Sequence, residues 1–271
     1  MNVDVVIADT VAAAAARLDT AAVELRPCAP VRDLIGDSDL DAAYRVQVLV
    51  NRARMSRGSV VVGHKIGLTS TAVQQQLGVD RPDFGVLFDD MNHPSGSRVA
   101  RSGFLQPRIE AEVAFVIGRD IDKTIDEFEA VSFIEYGSAA LEIVDSRISA
   151  WNISITDTIA DNASSGAFVL GNQKVDIADL DLPAVRMTLL QDGSQVSAGT
   201  GKDCLGNPLA ALAWLSNTTL LLGNPIRAGE VVLSGALGPM VTVDSGSHYS
   251  ADITGIGSVD IQFSDDEGGL P

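Results

Sequence analysis

"LQPRIEAEVAFVIG", residues 105–118, sets Glu110 and Glu112 two positions apart in a run otherwise made of Ile109, Ala111, Val113, Ala114, Phe115, Val116 and Ile117. The run predicts a strand, and residues two apart on a strand project to the same side, so both carboxylates share one face while Ile109, Ala111, Val113 and Phe115 take the other. Apolar residues on both faces mark a buried segment, where two like charges carry a large desolvation cost unless something neutralises them. A divalent cation is the simplest remedy. The alternative is a solvated strand face, with Arg108 and Arg147 as ion-pair partners or as a fork for a substrate carboxylate. A third acid, Glu142, stands in "SAALEIVDSRI", residues 138–148, a second apolar strand-like run. Three carboxylates plus water suit a hard, oxygen-seeking ion such as Mg2+ or Mn2+ better than zinc.

The β pattern continues outward from this strand, with runs at 139–144, 166–170, 185–191, 230–234 and 256–263 punctuated by Gly and Pro. Helical segments intervene at 124–132 and 208–222. Upstream, residues 9–24 carry Val11, Ala14, Ala15, Leu18 and Ala22 at helical spacing. A second helix starts from a cap at Asp37 or Ser38, runs along a stripe of Leu40, Ala43, Tyr44, Val46, Val50 and Ala53, and stops at Gly58. After the strand-like "SVVVGHKIG", residues 59–67, the segment "TSTAVQQQLG", 69–78, predicts a short helix and "VDRPDFGVLFDDM", 79–91, a loop. The acidic tail "SDDEGGLP", 264–271, has no apolar periodicity and is expected to fray.

With 36 Asp plus Glu against 19 Lys plus Arg in 271 residues, the net charge is −17 and no basic cluster offsets it, which argues against a nucleic-acid partner. The alanine run Ala12–Ala16 follows Asp4 and Asp9 and lacks a basic flank, so neither a signal peptide nor a membrane span is expected. Cys28 and Cys204 are far apart in a chain large enough to fold without staples, which predicts free thiols and a cytoplasmic location.

Other residues carry chemistry only in context. Lys65 ends an apolar strand where an ammonium is poorly hydrated, although a surface lysine fits the same pattern. Asp83, in "RPDFG", reads as a loop cap. Ser164 and Ser165, in "DNASSG", read as turn serines that satisfy backbone groups. His64, His93 and His248 have no metal-type spacing, and His64 matters only as the neighbour of Lys65.

"GHKIGLTS", "DFGVLF", "QPRIEAEVAF", "LEIVDSRI" and "DTIADNASSGAFVLG" together resemble the 2-hydroxypenta-2,4-dienoate hydratase and 4-oxalocrotonate decarboxylase branch of the fumarylacetoacetate hydrolase superfamily, over about residues 34 to 263. The resemblance implies an α+β fold, a mixed β-rich roll or distorted sandwich, with a helical N-terminal portion over 1–60 and a catalytic domain over 61–271. It implies Mg2+ or Mn2+ on Glu110, Glu112 and Glu142, with Lys65 and Asp83 as a catalytic pair. A serine reaches the substrate, Ser164 in preference to Ser165, which is left as a substrate-binding residue.

The implied activity is addition of water to 2-hydroxypenta-2,4-dienoate, or a close alkyl homologue, in meta-cleavage breakdown of aromatic compounds or steroids. A 2-oxo-3-hexenedioate decarboxylase uses the same chelate and is the nearest alternative; a non-catalytic assembly protein with a structural cation is the alternative of a different class. Carbon–carbon hydrolases of the superfamily carry a His and Glu pair in the helix after the first glycine turn, and "TSTAVQQQLG" has neither. The family also implies a homo-oligomer and a complex with a downstream aldolase. Lys202 and Asp203 replace the small residues usual in the family before the helix at 208.

Overall fold

The computed structural model describes residues 3–70, 74 and 81–265, with side chains described from residue 8. The helices are α1 (Val3–Glu24), α2 (Arg32–Ile35), α3 (Leu40–Ser56), α4 (Glu127–Ala130), α5 (Ile155–Ala160) and α6 (Pro208–Leu221). The strands are β1 (Val61–Gly67), β2 (Asp83–Phe88), β3 (Asn92–Pro94), β4 (Arg98–Ala100), β5 (Arg108–Ile117), β6 (Ile134–Val144) and β7 (Ser165–Leu170), followed by β8 (Arg186–Gln191), β9 (Ser194–Thr200), β10 (Val231–Ala236), β11 (Val241–Thr242), β12 (His248–Ile253) and β13 (Gly257–Ser264).

Among the described residues the strands form two sheets. An eight-stranded sheet runs β2-β1-β10-β5-β6-β7-β3, with β11 pairing β5, and a five-stranded sheet runs β4-β13-β12-β8-β9. The main core fills the space between them. Ile109, Val113, Phe115 and Leu141 from the large sheet meet Leu189, Tyr249, Ile261 and Phe263 from the small one and Leu212 and Leu215 from α6. The mixed sheets, with helices beside them, are the α+β architecture expected.

The alternation in β5 sorts its side chains as the sequence predicts. Odd-numbered residues from 109 to 117 enter the main core, while Ala114 and Val116 join Leu87, Phe88, Met91, Ala140, Phe168 and Leu233 on the opposite face. Glu110 and Glu112 therefore stand on that opposite face. The N-terminal helices make a separate cluster, in which Val11, Ala14, Leu18, Ala43 and Val46 pack on Ile148, Ile159 and Ala160.

Three expectations need correction. Residues 83–88, read as part of a loop, are strand β2, paired antiparallel with β1 from Val61↔Phe88 to Gly67↔Asp83. Pro82 and the flanking acids mask an apolar core, "DFGVLF", whose backbone groups the β1 edge satisfies. The cap of α3 is Asp39, whose Oδ1 accepts the Ala42 N–H at 2.8 Å, rather than Asp37 or Ser38. The helix expected over 124–132 keeps α-helical form only over Glu127–Ala130 and tightens to a 3-10 turn at Val131–Phe133. The short helix expected at 69–78 and the frayed tail lie, for the most part, outside the described residues.

Candidate metal centre

β5 and β6 pair antiparallel in a register that puts Glu110 directly opposite Glu142, with Glu112 opposite Ala140. Directly opposed residues of an antiparallel pair have Cβ atoms roughly 5 Å apart, a spacing at which like charges repel. The three carboxylates offer ligand atoms that all lie within 4.8 Å of one another, and all three residues are buried. Glu112 Oε2 accepts the Gly235 N–H at 2.7 Å. Glu112 Oε1 and Glu142 Oε2 have no hydrogen-bond partner. Buried acceptors left without donors are rare in folded proteins, and a hard cation supplies what these lack. The donor set fits Mg2+ or Mn2+.

Burial, then mutual repulsion, pushes the Glu110 carboxyl up to about 7, and the same causes hold Glu112 well above the carboxylate range. Glu142 is raised by burial against the opposing pull of Lys65. A bound cation would favour the charged form of all three, against these upward shifts.

Lys65 arrives from β1, which pairs parallel with β10 and antiparallel with β2. Its ammonium lies 3.0 Å from Glu142 Oε1 and donates to the Ala163 carbonyl at 3.0 Å. Burial alone would lower the Lys65 pKa, but Glu142, Glu110, Asp83 and Glu112 outweigh it and hold the value above the ordinary range. The protein side chains by themselves thus favour the charged ammonium.

Asp83 begins β2 and is buried beside this lysine. A Cβ on Gly67 would lie 2.2 Å from Asp83 Oδ1 and 3.5 Å from Lys65 Nζ, so this glycine leaves the space in which acid and ammonium face each other. Asp83 Oδ2 accepts from the Thr158 hydroxyl at 3.3 Å, while Oδ1 has no hydrogen-bond partner.

The turn after α5 closes the site. Asn162, Ala163 and Ser164 have φ of 54°, 50° and 53°. A non-glycine residue held there costs about 1–3 kcal/mol, so surrounding bonds must hold the turn. The Asn162 amide does part of this: its Oδ1 accepts from Val86 N–H at 2.8 Å and Asn51 Nδ2 at 3.2 Å, and its Nδ2 donates to the Val86 carbonyl at 2.9 Å. The Ser164 and Ser165 hydroxyls are buried without partners.

The arginines expected beside the acids go elsewhere. Arg147 forms its ion pair with Asp161, Nε to Oδ1 at 2.5 Å, and Arg108 lies over the Trp151 ring, 4.4 Å from its centroid. Neither neutralises the glutamates, whose strongest charge contacts are with one another, Lys65 and Asp83. Asp161, Asn162, Thr158 and Gly235 are contributors that sequence reasoning missed. Only the Asp161-Asn162 dipeptide left a signal, because asparagine tolerates left-handed backbone.

His64 faces away from the site; burial takes its pKa down to about 4, and its Nδ1 lies 3.6 Å from Glu230. Asp203 caps its own turn through Thr200. Cys28 and Cys204 are free thiols.

A buried cluster of three carboxylates on adjacent strands with a buried lysine beside it defines a class, and the family comparison agrees. The fumarylacetoacetate (FAA) hydrolase C-terminal family matches residues 61–264, and the chain belongs to this family. It is 49% identical over 258 residues to 2-keto-4-pentenoate hydratase of Burkholderia vietnamiensis (strain G4 / LMG 22486), covering 95% of this chain and 98% of the relative. It is 40% identical over 252 residues to 2-hydroxyhexa-2,4-dienoate hydratase of Comamonas testosteroni, covering 92% and 96%. Among solved structures, 4-oxalocrotonate decarboxylase from Pseudomonas putida G7, complexed with magnesium and adipate, superposes with a TM-score of 0.89 at 29% identity, covering 97% of this chain and 98% of that one.

Proposed function

We propose that this chain is a divalent-metal-dependent hydro-lyase that adds water to 2-hydroxypenta-2,4-dienoate, or a close alkyl homologue, to give 4-hydroxy-2-oxopentanoate in meta-cleavage catabolism. The observation that carries the reading is the convergence of Glu110, Glu112 and Glu142 with Lys65 3.0 Å from the third of them. Identity of 49% to a 2-keto-4-pentenoate hydratase over nearly the whole chain supports the substrate.

Glu110, Glu112 and Glu142 would hold Mg2+ or Mn2+, which when bound supplies positive charge for the substrate carboxylate and C2 oxygen. Lys65 and Asp83 handle the protons: the C2 hydroxyl loses one as C5 gains one, and water then adds at C4 while C3 takes a proton. Ser164 orients substrate or water through a hydroxyl that no protein group occupies. Ser165, equally unpartnered, is the further substrate-binding group.

The test is loss of the dienoate absorbance in the presence of Mg2+ or Mn2+, with 4-hydroxy-2-oxopentanoate as product. A Glu110→Gln, Glu112→Gln double variant is expected to lose at least about 100-fold in kcat/KM; undiminished turnover would sink the metal role.

Structural likeness to 4-oxalocrotonate decarboxylase keeps a second reading, release of CO2 from 2-oxo-3-hexenedioate. A distal carboxylate calls for a second cation, and among the described residues the dominant positive charge on the three glutamates is Lys65. That balance favours the uncharged dienoate end. Side-by-side assays of the two acids separate the readings.

The same proposal includes a cytoplasmic homo-oligomer that passes its product to an aldolase, since a 4-hydroxy-2-oxo acid is poised for retro-aldol cleavage. Phe128 on α4 and Leu221 on α6, 81% and 89% exposed, support an assembly that covers them. Sedimentation of the pure protein and of its mixture with the aldolase tests both contacts.

A further inference from the structure

We propose that Arg147 and Asp161 are positioning residues that set the turn facing the metal centre, a role that rests on the hydratase reading above. The side chain of Arg147 reaches both ends of the left-handed run Asn162-Ala163-Ser164. Its Nε donates to Asp161 Oδ1 at 2.5 Å and its Nη2 donates to the Asp161 carbonyl, on the residue just before the run. Its Nη1 donates to the Ser165 carbonyl at 2.7 Å, on the residue just after it, and to the Asp145 carbonyl at 2.6 Å. One guanidinium thus spans the turn from end to end.

The second oxygen of Asp161 is also engaged, accepting from the Arg147 N–H at 2.9 Å and the Ser146 hydroxyl at 3.2 Å. The Asp145 N–H donates to the Ser164 carbonyl at 2.7 Å, which joins the turn to the end of the strand that carries Glu142. Arg147 is 13% exposed in its side chain and Asp161 1%, so water does not compete for these bonds.

What the clamp delivers is position. The Ala163 carbonyl receives Lys65 Nζ at 3.0 Å, and Ser164 presents its buried, unpartnered hydroxyl. A planar fork of donors can hold several acceptors at fixed angles in a way an ammonium cannot. Neither Arg147 nor Asp161 touches the three glutamates, so loosening the clamp displaces the groups that handle protons and water and leaves the ion's ligands in place.

The experiment compares Arg147→Lys and Asp161→Asn with Arg32→Lys, which weakens another ion pair to a buried aspartate, Arg32 Nη1 to Asp157 Oδ2 at 2.5 Å. For each full-length variant, kcat and KM for the dienoate, Mn2+ affinity and the thermal midpoint are measured. Arg147→Lys and Asp161→Asn are expected to lose about 10- to 100-fold in kcat, the scale of a displacement near 1 Å, with KM and Mn2+ affinity within about threefold. Arg32→Lys is expected to lower the midpoint to a similar degree and hold kcat within about twofold. Full kcat in both clamp variants overturns the proposal, as does a kcat loss that follows Mn2+ affinity or the midpoint across all three variants. Absence of turnover by the unmodified protein overturns the hydratase reading and the clamp with it.

Discussion

Glu110, Glu112 and Glu142 make the metal-free protein sensitive to pH in a direction opposite to that of an ordinary salt-bridged carboxylate. Glu110 is raised from 4.5 to about 7 and Glu112 is raised as well, by burial first and by neighbouring carboxylates second. The folded state therefore binds more protons than the unfolded chain between these values, and stability falls as pH rises through the folded pKa. His64, lowered from 6.5 to about 4 by burial, pulls the other way, but only below pH 6.5. Between pH 6.5 and 8 the thermal midpoint of chelator-treated protein is expected to fall, and saturating Mn2+ is expected to flatten or reverse the slope. A metal-free midpoint that rises over this window would contradict the buried-proton account. The convergence of these acids was legible in the sequence because carboxylates at strand spacing inside apolar runs have few explanations. Asp161 and Asn162 were legible only as a dipeptide that tolerates left-handed backbone, because the rest of their importance lies in bonds to Val86 and Arg147, which the letters do not record.

At the scale of elements, the site depends on how closely β2 approaches the turn after α5. A Cβ on Gly85 would lie 2.4 Å from the Asn162 carbonyl oxygen and 2.8 Å from Ser165 Oγ. Gly85→Ala is expected to cost about 1–3 kcal/mol of stability through overpacking, read by denaturant unfolding. Because the displaced backbone is the turn that meets Lys65, kcat is expected to fall with it; a stable, fully active Gly85→Ala protein would show that this approach is not critical. Strands β5 to β8, β10 and β13 were readable from their apolar runs, whereas β2 was hidden by the proline and acids around it. β12, "HYSADI", and β9, "SQVSAGT", were missed because polar residues occupy their exposed positions and weaken the apolar signal.

The molecule as a whole is acidic, with a net charge of −17, yet its proposed substrate is an anion. Long-range repulsion slows such an encounter and salt screens it, the Debye length shrinking from about 30 Å at 0.01 M to about 10 Å at 0.1 M. With Mn2+ saturating, kcat/KM for the dienoate is expected to rise severalfold over that range; a steady fall would mean that the local field at the pocket mouth is positive. The two N-terminal helices were foreseen from periodicity and the mixed sheets from the family resemblance, while the way α3 grips the site was not: Gln47 donates to the Phe84 and Ile159 carbonyls at 2.8 and 2.9 Å, and a glutamine in a helix announces nothing of the kind. The placement of the glutamates on β5 and β6, each paired on both sides, has a dynamic consequence. Amide protons of residues 110–114 and 139–143 are expected to exchange with deuterium only through global opening, whether or not Mn2+ is bound. The ion could then come and go by side-chain motion alone, its lifetime unlinked from any breathing of the sheet.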